Sequence, residues 1–182
     1  MTIGDVSPPD DERSAGDLEG PPQFTVQHRA AFDLRQADQD RTLAAVHALE
    51  GALSAAAPGR EGTWRDDVRV ALDSLRIATT EEERNAGEAD SLLSDIARTQ
   101  PRLRNRVRGL RIHYQQVRDT IESLVHELES AETGTDVADL RQRLAWLLGS
   151  LRYQRARESD LIYEAYYEAF RRDVEQDGDE LP

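Results

Sequence analysis

Apolar residues recur along this chain in steps of three and four. The clearest run is Leu103, Val107, Leu110, Tyr114, Val117, Ile121, Leu124 and Leu128, which alternates steps of four and three. A 3.5-residue repeat is a single stripe along a helix. The same alternation gives Val137, Leu140, Leu144, Leu147, Leu151, Gln154, Glu158, Leu161 and Ala165. Two looser stripes precede them: Phe32, Arg35, Gln39, Thr42, Val46, Leu49, Leu53, and then Val68, Leu72, Leu75, Thr79, Glu82, Ala86, Ala89, Leu93, Ile96. No segment shows period-two alternation bounded by turn residues, so no sheet is expected.

Turn chemistry divides these stripes into four predicted helices, over 24–57, 64–98, 101–130 and 136–173. The run 58–62, Pro-Gly-Arg-Glu-Gly, stops the first, and Thr63 is the candidate N-cap of the second. Asp66 and Asp67 then fall in a first turn, where the helix dipole favours them. Asn85-Ala86-Gly87 should interrupt the second helix, with Ser91 capping a restart. Pro101 suits the first turn of the third helix, and 132–135 form the last loop. Short loops between long helices with these seams predict an all-α, antiparallel, up-down-up-down, left-handed four-helix bundle.

Where the seams turn polar is informative. Gln39 stands about five helical turns before position 57, and Glu82 about five turns after position 64. At ~1.5 Å per residue both are ~27 Å from their shared loop, level in an antiparallel pair. Gln154 stands about five turns after position 136, and His113 slightly under five turns before position 130. Gln39, Glu82, His113 and Gln154 therefore fall in one cross-section, with Glu158 one turn from Gln154. His113 sits about 40° from Val117, on the flank of the inward face. Bundles build metal and ligand sites from facing side chains at one level. Two arrangements satisfy such a layer. A metal could take His113, Glu82 and Glu158. Alternatively Gln39, Glu82, His113, Gln154 and Glu158 form a hydrogen-bonded network with Tyr114, Tyr153 or an Arg. Two Gln amides, each able to donate and accept, favour the network.

Charge refines this picture. The net charge of −13 is concentrated at the ends: residues 1–22 carry −5, residues 173–182 carry −5, and 23–172 only −3. Both ends are expected to be disordered acidic tails flanking one domain at 23–172. The acidity disfavours nucleic acid and anionic lipid. All 23 basic residues are Arg, which fits a GC-rich coding sequence. There is no Cys, hence no disulfide, thiolate metal site or Cys nucleophile. No apolar run approaches ~18 residues, and the first residues lack the pattern of a signal peptide, so the expected location is cytoplasmic.

Several pieces together resemble the hemerythrin-like (HHE, cation-binding) four-helix domain. They are Leu92-Leu93-Ser94-Asp95-Ile96 followed by Pro101-Arg102-Leu103, then Leu110-Arg111-Ile112-His113, then the run from Arg155 to Tyr166. The resemblance covers about residues 24–172. It implies a four-helix bundle and a non-haem di-iron centre held by several His and two carboxylates, a donor set suited to iron. One His per helix and a His-x-x-x-Glu in the last helix are the pattern. This chain has Gln154-x-x-x-Glu158 there, Glu82 and Gln39 in place of the earlier His, and only His113 as an imidazole.

The expected function is a non-catalytic interaction or regulatory bundle with an eroded metal site and no cofactor. One alternative is a sensor or carrier binding non-haem iron, or another divalent metal, through His113, Glu82 and Glu158. Another is a structural helical protein unrelated to that family. No Gly-rich phosphate loop, no G-x-S-x-G and no Glu-x-x-His occurs, so other enzyme classes lack support. His47 with Glu50, and His126 with Glu129, read as surface pairs three residues apart. His28 falls on the same face as Val46 and could cap one end of the bundle, though the sequence alone makes no partner evident. In the run 81–83 only Glu82 is on a seam. Tyr163, Tyr166, Tyr167 and Phe170 read as core or capping residues, an exposed subset of which could make a homodimer contact or meet an unknown protein partner.

Overall fold

A computed structural model of the protein describes residues 25–55, 59–130 and 137–179, with side chains through Tyr167 in the last segment. Among the described residues everything regular is helical and no strand occurs. The helices are α1 (Val26–Ser54), α2 (Glu61–Gly87), α3 (Leu92–Thr99), α4 (Arg104–Ser130) and α5 (Val137–Asp179). A 3₁₀ turn, Pro101–Leu103, leads into α4. The expected tail at 1–22, Pro58 and the loop at 132–135 lie outside the described residues.

Local chemistry explains the helix ends. Thr25 caps α1: its hydroxyl accepts from the His28 backbone N–H at 3.3 Å, and its own N–H donates to His28 Nδ1 at 3.2 Å. His28 Nε2 also lies 3.3 Å from Asp95 Oδ2, so the His without an evident partner in sequence is a capping residue. Gly59 takes φ 73°, a left-handed conformation that L side chains rarely adopt. The α2 helix starts before the expected Thr63 cap, which lies inside it. The Glu61 carboxylate accepts the Gly59 N–H at 3.1 Å and puts negative charge in the first turn, so the start moves forward. The interruption occurs as expected: α2 ends at Gly87, and Ser91 caps α3 by accepting the Ser94 N–H at 3.2 Å. Downstream, α5 runs to Asp179, past the end anticipated at 173, while 180–182 lie outside the described residues. Glu175 and Gln176 are good helix formers, and no Pro intervenes.

Side-chain pairs fix how neighbouring helices run. Between α1 and α2, Asp38 meets Asn85, Thr42 meets Glu82 and Arg41 meets Glu81. Between α2 and α4, Glu82 meets Tyr114, Glu83 meets Arg118 at 3.0 Å and Arg76 meets Glu122 at 4.0 Å. Between α4 and α5, Arg106 pairs with Glu164, His113 with Ser150, and Glu127 with Arg143 at 2.6 Å. From the first to the last contact of each set, residue numbers rise along one helix while they fall along the other, from 38–85 to 42–82, from 76–122 to 83–118 and from 106–164 to 127–143.

The interior divides in two. One core gathers Leu49, Leu72, Leu75, Ile121, Leu124, Leu140, Leu144 and Leu147, all fully buried, around the ends of α1 and α4 and the starts of α2 and α5. Full burial of each such side chain contributes roughly 1.5–3 kcal/mol before chain entropy is subtracted. The other core packs α3 against α4 and α5 through Leu93, Ile96, Leu103, Leu110, Leu161 and Tyr166. Between them, the counted seams carry polar residues. Among the described residues, no helix is long and apolar enough to cross a membrane.

Candidate functional site

The layer between the two cores is buried and polar. Exposure is 6% for Gln39, 9% for Glu82, 4% for Tyr114, 4% for Gln154 and 3% for Glu158. The seam spacing places each of these inward. Glu158 Oε1 accepts from Arg35 Nε at 3.2 Å, and its Oε2 from Tyr114 Oη at 3.2 Å and Gln39 Nε2 at 3.4 Å. Glu82 Oε2 accepts from the Thr42 hydroxyl at 2.5 Å, and its Oε1 lies 3.3 Å from Tyr114 Oη. All four carboxylate oxygens are therefore engaged by groups of the chain itself.

The two acids are not equivalent. Glu158 has a guanidinium, whereas Glu82 has only hydroxyl partners. Burial, reinforced by the neighbouring charges of Glu158 and Asp38, pushes the Glu82 carboxyl up to about 7, against the hydrogen bonds from Thr42 and Tyr114. The single Tyr114 hydroxyl proton cannot serve both acids. With Glu82 protonated the chain of donors closes: Glu82 donates to Tyr114 Oη, and Tyr114 donates to Glu158. Burial, then the two carboxylates, hold the Tyr114 hydroxyl well above its ordinary range, so it keeps its proton.

His113 stands apart from this cluster. It is half-buried in the α4–α5 groove, with Nε2 3.3 Å from the Ser150 carbonyl and its ring edge-on to Tyr153. At this level the inward position of α4 belongs to Tyr114, and one residue of helix turns His113 to the side. Tyr153, the other tyrosine considered for the network, is 58% exposed and does not reach the layer. No group of three His, Asp or Glu among the described residues is arranged to hold a metal ion. With the imidazole facing Ser150 and the acid oxygens engaged by donors, these residues do not fit a di-iron centre.

Sequence reasoning missed Asp38. It is 3% exposed beside Gln39, and both its oxygens accept from Asn85 Nδ2, at 3.1 and 2.9 Å. Arg41 pairs with it at 3.0 Å. Asn85 was legible only as a helix breaker, yet it lies three residues after Glu82 and so shares its face. Arg35 and Thr42 were on the counted seam without an assigned role.

Two cavities flank the layer and share Glu82 in their walls. The larger, about 180 Å³, lies between the first turns of α1 and the α2–α3 turn. Its walls are apolar, from Ala30, Ala31, Leu34, Leu92 and Leu93, and its floor is Arg35, Asp38, Glu82, Tyr114 and Glu158. The smaller, about 140 Å³, lies between α1 and α5 beside Gln39, Thr42 and Gln154. Gln154 Oε1 is buried without a hydrogen-bond partner among the described residues.

The other sequence candidates fall outside the layer. His47 and His126 are exposed. Tyr166 is buried and donates to Asp95 Oδ2 at 2.7 Å, while Tyr163 and Tyr167 are exposed. The side chain of Phe170 lies outside the described residues. Comparison of the chain with protein-family models, curated proteins and solved structures finds no match.

Proposed function

We propose that this chain is a non-catalytic interaction or regulatory protein: an up-down-up-down, left-handed four-helix bundle of hemerythrin-like resemblance whose polar layer is a hydrogen-bonded network. The carrying observation is the engagement of all four Glu82 and Glu158 oxygens by Thr42, Tyr114, Gln39 and Arg35. A metal would have to displace these donors and would still lack an imidazole. Leaving the donors unpaired in the interior costs on the order of 1–3 kcal/mol each. The exposed aromatics of α5, Trp146, Tyr153, Tyr163 and Tyr167, offer a surface to a protein partner, a second copy included.

The test is a melting curve of the metal-stripped protein with Fe(II) or Zn(II) added. A metal that binds only the folded state at 100 times its dissociation constant adds ~2.7 kcal/mol, a shift of several degrees. The expected result is no shift. A saturable rise abolished by both His113→Ala and Glu158→Ala would replace the network with a metal centre.

A further inference from the structure

The larger cavity has the composition of a ligand site: apolar walls, a few convergent polar groups and an opening beside a break in a helix. Its charge is one-sided. Asp38, Glu82, Asp90 and Glu158 line it against a single guanidinium, that of Arg35. That guanidinium is already committed, with Nε on Glu158 and Nη2 3.2 Å from Ser159 Oγ. Asp38 is satisfied by Asn85 and Arg41. Asp90 is exposed at the α2–α3 turn, so Glu82 is the buried acid left without a cation. Its partners are two hydroxyls, and no ion pair to Arg or His is present among the described residues. One of those hydroxyls, Tyr114, lies between two carboxylates with one proton to give.

We propose that this cavity binds a small organic ammonium ion with an apolar tail, whose charge is met by the Glu82 carboxylate. The inference rests on the layer holding no metal. The tail lies against Ala31, Leu34, Leu92 and Leu93, and the ammonium group stands over the floor. Size agrees: a cavity of about 150 Å³ accepts benzene, and this one is about 180 Å³. An anion would face Asp38, Asp90 and Glu158 with no uncommitted cation.

Binding exchanges one positive charge for another. The neutral Glu82 carboxyl loses its O–H proton to solvent, and the carboxylate so formed pairs with the incoming R–NH₃⁺, so charge balances with one H⁺ released. The titratable and charged groups around Glu82 are Arg35 and Asp38 from α1, Tyr114 from α4, Glu158 from α5 and Asp90 from the α2–α3 turn. On the side of the smaller cavity they are His47 and Glu50 from α1 and Arg152 and Arg155 from α5. The α3 residues facing this cavity, Leu92 and Leu93, do not titrate. Because Glu82 stays protonated up to about 7, binding should be about thirtyfold weaker at pH 5.5 than at pH 8.

Isothermal titration of the full chain with benzylammonium, benzyl alcohol and phenylacetate tests this. The expected result is saturable binding of benzylammonium alone, with close to one proton released per ligand at pH 6, read from two buffers of different ionisation heat. Glu82→Gln, which mimics the protonated acid, should weaken binding at least tenfold and abolish proton release. Ala30→Phe, at an exposed position in the cavity wall, should block binding by filling the space. Equal binding of benzyl alcohol, preferential binding of phenylacetate, or no binding of any probe to a protein that also ignores Fe(II) would overturn the site. A melting rise with Fe(II) would instead overturn the metal-free layer on which the site rests.

Discussion

The two ends of this molecule are built differently from the same seam pattern. Around the ends of α1 and α4 and the starts of α2 and α5, the stripes are almost wholly Leu, Ile, Val and Ala, and they close into one aliphatic core. Toward α3 the same stripes pass through Gln39, Glu82, Gln154 and Glu158, the helix partner breaks at 88–91, and a cavity opens. One half supplies stability. In the other half, polar atoms must satisfy one another, and their arrangement dictates protonation and access. Buried polar networks of this kind lose much if a single member is removed.

Truncation is the strongest way to break that contrast. Leu144→Ala in the aliphatic half should cost about 3 kcal/mol, since its neighbours have no room to collapse. Leu93→Ala, also buried but already beside the cavity, should cost less, nearer to about 2 kcal/mol. Denaturant unfolding of both variants measures the difference, and an equal or reversed ranking would erase the distinction between the halves. A smaller effect sharpens it. Ser91→Ala removes the α3 cap and should cost about 1 kcal/mol. Hydrogen exchange should place the loss in α3 while the amides of α4 in the aliphatic half stay protected. Uniform loss across both halves would mean that α3 is not a separable element.

Much of this was legible in the sequence. The α4 and α5 stripes could be counted because every step is three or four, and nearly every member is buried. The restart at Ser91 could be read because a Gly and an Asn precede a capping serine. Levels were legible in part: counting residues from shared loops put Gln39, Glu82, His113 and Gln154 in one section with Glu158 one turn away, and all of these but His113 are buried. Rotation about a helix was harder. His113 and Tyr114 are neighbours, and a step of about 100° decides which one faces inward. Asp38 was missed because it flanks the seam, and its burial is made tolerable by Asn85 on another helix together with Arg41. The cavity was not legible, because it depends on where α3 lands after the break.

The most direct test of the network is the pH dependence of unfolding free energy in the native protein and in Glu82→Gln. The carboxyl of Glu82 is raised in the folded state from an ordinary 4.5 to about 7. Its contribution to stability is therefore fully present below the ordinary value and is lost as pH rises through about 7. Between pH 5.5 and pH 8 the native protein should lose about 2 kcal/mol from this group. Glutamine keeps an acceptor for Thr42 and a donor for Tyr114 without an ionisable proton, so the variant should not show that loss. The expected result is a stability advantage for Glu82→Gln that grows by about 2 kcal/mol across the interval. Parallel curves, with no growing advantage, would contradict a neutral Glu82 at the centre of the network.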